Sequence, residues 1–282
     1  MISINYLKLL RPKQWIKNLM MFFPSFLSGS LFSSSCISVT GLLAFISFCS
    51  VSSALYIFND LNDSERDILH PVKRLRPIPT GAISRQNAAA GAVLLGLLSL
   101  VVAHIFVTPM VPYLLLYASV TIAYTLWLKN IPVVDLFCIS FGFLVRLQSG
   151  GTTFNVEISE WLFLSVFFLS LFMSSGKRLS EQALLGSDAA GHRSSLCGYP
   201  QGTLDAVLLV TAATVLVTYS MYTLVHPPLV YTVPLCTFGL FRYILRVKSG
   251  NSGDPTESLL RDIPLLCVSI VWALLVGWSI YL

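Results

Sequence analysis

Residues 37–81 read ISVTGLLAFISFCSVSSALYIFNDLNDSERDILHPVKRLRPIPTG. From Ile37 to Phe58 there is no Asp, Glu, Lys or Arg. The remainder to Gly81 then packs in Asp60, Asp63, Glu65, Arg66, Asp67, Lys73, Arg74 and Arg76. An uncharged run of about 20 residues is the length a helix needs to cross a bilayer's hydrocarbon core. A run that ends abruptly in dense charge reads as a membrane helix whose end meets water, and this reading decides the fold class.

Composition agrees. The 282 residues are 55% hydrophobic and only 11% charged, with mean hydropathy +0.76, whereas soluble domains are about 25% charged. Apolar runs recur near 17–35, 37–58, 86–106, 109–128, 132–150, 157–175, 203–224, 229–247 and 263–282. None has the alternation of an outer-membrane barrel strand. The expectation is an all-α integral membrane protein of nine spans forming one domain, 1–282, with Pro24 and a run of Ser interrupting the first span.

With the N-terminus inside, 17 of the 18 Lys and Arg fall on one side of the membrane, and Arg146 lies within the fifth span. Cytoplasmic loops of membrane proteins carry such an excess. The net charge of +5 therefore reads as topology and lipid head-group contact, not as a nucleic-acid surface. The six cysteines are scattered with no C-x-x-C, which argues against a disulfide framework or a thiolate metal cluster. The basic, then apolar N-terminus reads as an uncleaved first span in a cytoplasmic-type membrane.

Asp60, Asp63 and Asp67 are spaced i, i+3, i+7. If the second span continues helically, they share an arc of about 60° over about 10 Å of rise, with Glu65 on the opposite side. Like charges on one stripe repel. Hard carboxylate oxygens, with the Asn59 amide oxygen beside them, suit Mg²⁺ together with substrate phosphates. Lys73 and Arg76, on a segment stiffened by Pro71, Pro77 and Pro79, offer charge-assisted donors to phosphate oxygens. His70 is read either as a phosphate contact or as a structural hydrogen-bonding residue. The plainer alternative for the whole stretch is acid–base pairing on a solvated face.

Further along, Tyr124, Lys129 and Asp135 bracket a very short inner connection and are expected in one inner-side cavity. Arg146 lies about 16 Å deeper along the fifth span, where an ionisable side chain is costly and is read as functional, the plainer alternative being an internal salt bridge or a carbonyl partner. In SSGKRLSEQ, Lys177 and Glu181 are i, i+4, which allows a surface ion pair. The other reading puts Lys177 and Arg178 on phosphate. The Gly- and Ser-rich loop before Asp254 and Glu257 is expected to be mobile, as a lid is.

These motifs resemble the UbiA superfamily of intramembrane prenyltransferases. They are NDLNDSERD (59–67), LRPKQWIKN (10–18) with its Lys17, Tyr124 with Lys129 and Asp135, and GFLVRLQSGG (142–151). The resemblance implies nine helices around a central cavity, with Asn59, Asp60, Asp63 and Asp67 holding diphosphate through Mg²⁺. Where aromatic prenyltransferases of this superfamily carry a second D-x-x-x-D, this chain reads Lys177-Arg-Leu-Ser-Glu181. With PKQWIKN and GDPTE, that segment is similar to the decaprenyl-phosphate phosphoribosyltransferase branch. The resemblance then implies transfer of 5-phosphoribose from 5-phosphoribosyl 1-diphosphate to a polyprenyl phosphate, with Lys17, Asn59, Lys73, Arg76, Tyr124, Lys129, Asp135, Arg146, Lys177, Arg178 and Glu181 around the substrates. Prenylation of an aromatic acceptor from a polyprenyl diphosphate is the second reading. A transporter is disfavoured because the charges gather at one membrane face instead of the midplane.

Overall fold

The structure is a computed structural model describing residues 2–32, 38–69, 72–185 and 194–282. Cys36, His70, Pro71 and Arg193, with the readings placed on them, lie outside the described residues. The described residues form helices and turns and no strand. Seven helices are long and apolar enough to cross a membrane: Val39–Leu69, Arg85–Phe106, Thr108–Leu126, Glu160–Leu184, Thr203–Val225, Pro228–Lys248 and Ile263–Tyr281. The fifth expected span is the helix Val134–Phe154, whose apolar character is diluted by Asp135, Arg146 and Gln148.

The first expected span, 17–35, is different. Pro12–Phe22 is a 3₁₀ helix, followed by one short α-helix, Phe23–Leu27. Three residues per turn stack side chains at i and i+3, and the burial pattern follows that period. Asn18 and Met21 are buried and Trp15 hydrogen-bonds to Ser53. Lys13, Ile16 and Leu19 form an exposed row, and Gln14, Lys17 and Met20 a half-buried one.

The chain divides into two interleaved compact units: Met1–Phe23, Leu31–Lys129 and Val145–Val156 in the first, Pro24–Ser30, Asn130–Leu144 and Glu157–Leu282 in the second. In the first unit, Val39–Leu69 is the central helix. Packed on it are Ile2–Leu10, the 3₁₀ segment, Arg85–Phe106 and Val111–Leu126. Its small and apolar face, from Ala44 through Phe48 and Val51 to Leu55, builds a core with Met21, Met110, Leu114, Tyr117, Val145 and Phe154. Close approach at one point requires glycine, because a Cβ on Gly150 would collide with the Met21 carbonyl.

In the second unit, Glu160–Leu185 pairs with Thr203–Val225, and Val233–Lys248 packs on both. Phe172, Leu208, Val215, Leu240 and Tyr243 form the main core, and Leu136, Leu171, Tyr199 and Leu204 a second one. Two aspartates start helices here. Asp254 caps Pro255–Arg261 through Thr256 N and Glu257 N, and Asp262 caps Ile263–Tyr281 through Leu265 N. Each satisfies amide donors that the first helical turn otherwise leaves orphaned.

Candidate functional site

The Val39–Leu69 helix does run through the acidic stretch, so the i, i+3, i+7 spacing acts as anticipated. Asp60 and Asp67 are buried, at 2% and 3% exposure, Asp63 is partly buried, and Glu65 is exposed on the other side. Each of the three aspartates meets a cation. Asp60 Oδ1 accepts from Arg11 and from Arg76 at 2.9 Å, and Asp67 Oδ2 accepts from the same Arg76 nitrogen at 2.6 Å. Asp63 is paired with Lys129, which is itself buried. Asn59 Oδ1 accepts from Thr125 at 3.4 Å, beside the half-buried Tyr124 in the last turn of Val111–Leu126.

The basic segment after this helix is anchored, not draped. One 3₁₀ turn, Lys73–Leu75, is followed by Ile78 and Ile83, at 6% and 4% exposure, which plug into a cluster with Leu9, Ile57 and Ala88. Burying two isoleucines contributes about 1.5–3 kcal/mol each. The Ile83 amide closes the loop by donating to the Pro77 carbonyl at 3.1 Å. Lys73 is half-buried, and Arg85 donates to Ser64 Oγ at 2.7 Å.

Deeper in this unit, Arg146 is 4% exposed. It donates to Asn18 Oδ1 at 2.8 Å and to the Tyr117 hydroxyl at 2.6 Å, and lies over the Tyr117 ring at 4.5 Å. Asn18 also accepts from Ser52 at 3.3 Å. Neutral oxygens and aromatic faces thus surround a charge that hydrocarbon would not tolerate.

The second unit gathers Asp135, Lys177, Arg178 and Glu181. Lys129, in the first unit, pairs with Asp63, and Asp135, in the second, pairs with Arg178. Arg178 departs from expectation. Its side chain, 2% exposed, is held by Asp135 at 2.7 Å and Glu181 at 2.8 Å, not presented outward. Tyr199 donates to Asp135 at 2.7 Å and accepts from the Val133 amide at 2.6 Å. Burial pushes the Tyr199 hydroxyl's pKa above its ordinary value, keeping it a neutral donor.

Lys177 pairs with Asp254 at 3.1 Å in place of Glu181. The loop before Asp254, read as a mobile lid, is tied down. The Gly253 amide donates to Ser180 Oγ at 2.9 Å, its carbonyl accepts from Tyr243 at 2.7 Å, and Ser258 donates to the Ser252 carbonyl at 2.9 Å.

The sequence reading missed Arg11, Asn18, Tyr117 and Tyr199 as parts of these networks. Arg11 lies in a motif already singled out. Tyr117 lies in an apolar run and Tyr199 in a Gly- and Pro-containing turn, and neither carries a motif that marks it. Among the described residues no three His, Cys, Asp or Glu side chains converge as a ready metal-ligand set. The donor chemistry still fits a hard divalent cation, with three aspartates and an amide oxygen on one helix face, provided their guanidinium and ammonium partners move.

The model of the UbiA prenyltransferase family matches residues 21–266. The chain belongs to the UbiA prenyltransferase family. As a UbiA-family transferase with at least seven membrane-length helices, it is a multi-pass membrane protein. It is 31% identical to a decaprenyl-phosphate phosphoribosyltransferase of Mycolicibacterium smegmatis, over 98% of this chain and 92% of that one. The enzyme of that name from Mycobacterium tuberculosis H37Rv is 32% identical over 97% of this chain and 93% of its own length. Among solved structures, a UbiA homologue from Archaeoglobus fulgidus bound to GPP and Mg²⁺ superposes with a TM-score of 0.76 at 19% identity, covering 98% and 99% of the two chains. At that identity the likeness concerns the UbiA fold.

Proposed function

We propose that this chain transfers 5-phosphoribose from 5-phosphoribosyl 1-diphosphate to a polyprenyl phosphate and releases diphosphate. The observation that carries the reading is near-full-length similarity, at 31–32% identity, to proteins named for decaprenyl-phosphate phosphoribosyl transfer. The site supports it. A second acidic motif for a metal-bound prenyl diphosphate is replaced by Lys177, Arg178 and Glu181, of which Arg178 and Glu181 are engaged with each other.

In this reading Asn59, Asp60, Asp63 and Asp67 would hold Mg²⁺. A divalent cation there supplies charge stabilisation for the departing diphosphate. Arg76, Lys73 and Lys129 grip donor phosphates, and Lys177 extends the cationic set. Arg178, Asp135 and Glu181 hold the Lys177 segment in register, while Arg146, Lys17 and Tyr124 attend the acceptor. An oxygen of the acceptor phosphate forms the new bond to the anomeric carbon as the bond to diphosphate breaks, and the electron pair leaves with diphosphate. The nucleophile is already ionised, so no general base is needed.

The whole chain acts as one domain of nine spans with the N-terminus and active site cytoplasmic, in an inner-membrane setting. There a soluble donor meets a lipid acceptor for envelope polysaccharide synthesis. The test is detergent-purified protein with Mg²⁺, 5-phosphoribosyl 1-diphosphate and polyprenyl phosphate. A phosphoribosylated lipid plus diphosphate is expected, and none in EDTA. Indifference to that donor, with prenylation of an aromatic acid instead, overturns the reading in favour of aromatic prenyl transfer.

A further inference from the structure

Arg11 is built into the acidic site with unusual insistence. Its backbone sits in the left-handed region, φ 53° and ψ 57°, which residues other than glycine rarely adopt and which persists only where surroundings enforce it. The surroundings are visible. The Leu10 carbonyl accepts from Ser53 at 2.8 Å, Ser53 accepts from Trp15 at 3.0 Å, and the Gln14 amide donates to the Arg11 carbonyl at 2.9 Å. The guanidinium lies 5.2 Å over the Tyr56 ring and contacts Asp60. Ser53, Tyr56 and Asp60 are spaced i, i+3, i+7, so the stripe carrying the aspartates also fixes Arg11.

Exposure gives this arrangement a direction. Arg11 and Arg76 are 23% and 27% exposed at the side chain, while Asp60 and Asp67 beneath them are 2% and 5%. Two guanidiniums share one Asp60 oxygen. An approaching anion meets the guanidiniums first. A cation reaches Asp60 Oδ1 only by displacing them, and displacement is favourable only when they have another anion to hold.

We propose that Arg11 couples metal to donor: it yields Asp60 to a divalent cation when a phosphate group takes its guanidinium. The proposal rests on the reading that this site takes a metal and a phosphorylated donor. It assigns Arg11 a positioning role that opposes metal binding in the absence of phosphate. Because binding linkage is reciprocal, phosphate must tighten metal binding by the same factor as metal tightens phosphate binding.

The test measures Mn²⁺ binding by electron paramagnetic resonance to the full-length protein in detergent, with and without orthophosphate, which chelates Mn²⁺ only weakly. In wild type, saturating orthophosphate is expected to tighten Mn²⁺ binding about tenfold, a usual size for such coupling. Arg11→Gln should bind Mn²⁺ several-fold more tightly without orthophosphate and lose most of the coupling. A purely structural arginine would give weaker metal binding on removal, not stronger. Arg76→Gln, which frees the same Asp60 oxygen from another segment, repeats the test if Arg11→Gln does not fold. Unchanged or weakened Mn²⁺ binding in the folded variant, or no coupling in wild type, overturns the proposal. The transfer assay on the same wild-type preparation reports separately on the functional reading, since coupling to orthophosphate does not depend on which sugar or lipid is transferred.

Discussion

Lys177 and Arg178 are neighbours in sequence, and both read as phosphate cations. Burial separates them. Lys177 is 36% exposed at the side chain and pairs with a partly exposed Asp254, whereas Arg178 and Asp135 are at 2% and 0%. Removing one member of a fully buried pair costs about 3–5 kcal/mol, while an exposed pair contributes about 0–1 kcal/mol. Arg178→Met should therefore abolish recoverable folded protein, whereas Lys177→Met should melt within a few degrees of wild type and show a raised KM for the donor. Thermal unfolding in detergent and transfer kinetics check the pair. At the acidic stripe, Asp63→Asn should lower transfer at least about 100-fold with the fold retained, and Glu65→Gln, exposed on the other face, should change it less than about threefold. Equal effects would sink the one-face argument. Val133 stores strain, with φ 68° and 46% exposure. A left-handed L residue costs about 1–2 kcal/mol, more than the backbone entropy glycine brings. Val133→Gly should leave the melting temperature unchanged or raise it.

At the scale of elements, what was legible and what was not divide along physical lines. Helices defined by long uncharged runs were legible because burial in lipid depends on composition alone. Continuation of the second span through its acids was legible because i, i+3, i+7 spacing has meaning only on a helix. The 3₁₀ conformation of Pro12–Phe22 was not, because its period of three is revealed by burial of Asn18 and Met21 against Val39–Leu69, a tertiary outcome. Gly150 has the same origin: Gly150→Ala should destabilise by about 1–3 kcal/mol, since backbone, not a flexible side chain, blocks the new methyl. Asp262 shows how a cap becomes a charge centre. Arg242 donates to it at 3.0 and 3.1 Å, and that hydrogen bonding is the first cause holding its carboxyl below the ordinary range. A depressed folded pKa contributes stability above the unfolded value, about 3.9, which is lost as pH falls through the folded one. Asp262→Asn keeps a good cap. The melting-temperature gap to wild type should therefore be widest near neutral pH and close as pH is lowered below the ordinary carboxylate range.

For the whole molecule, membership of a multi-pass membrane class was plain from 55% hydrophobic and 11% charged residues. The pairing of acids with bases was not, since Lys129 reaches Asp63 across 66 positions and Arg11 reaches Asp60 across 49. A single sequence carries no signal for such distances. The proposed N-in topology makes a further prediction. Single cysteines in a cysteine-free background should label from the cytoplasmic side at 251 and from the opposite side at 108. Labelling of both from one side would overturn it.

The three partners of the aspartates also lie in order along the chain, Arg11 ahead of Val39–Leu69, Arg76 just after it, and Lys129 later still. A membrane protein is made and inserted from its N-terminus. When the acidic helix end first leaves the ribosome, Arg11 is the one partner already synthesised, and Lys129 follows two long helices later. Time of appearance thus grades the three cations and the four ion pairs they make. A substitution at Arg11 meets the nascent chain at its most uncompensated moment, so its yield during synthesis should fall further than that of the equivalent change at Lys129.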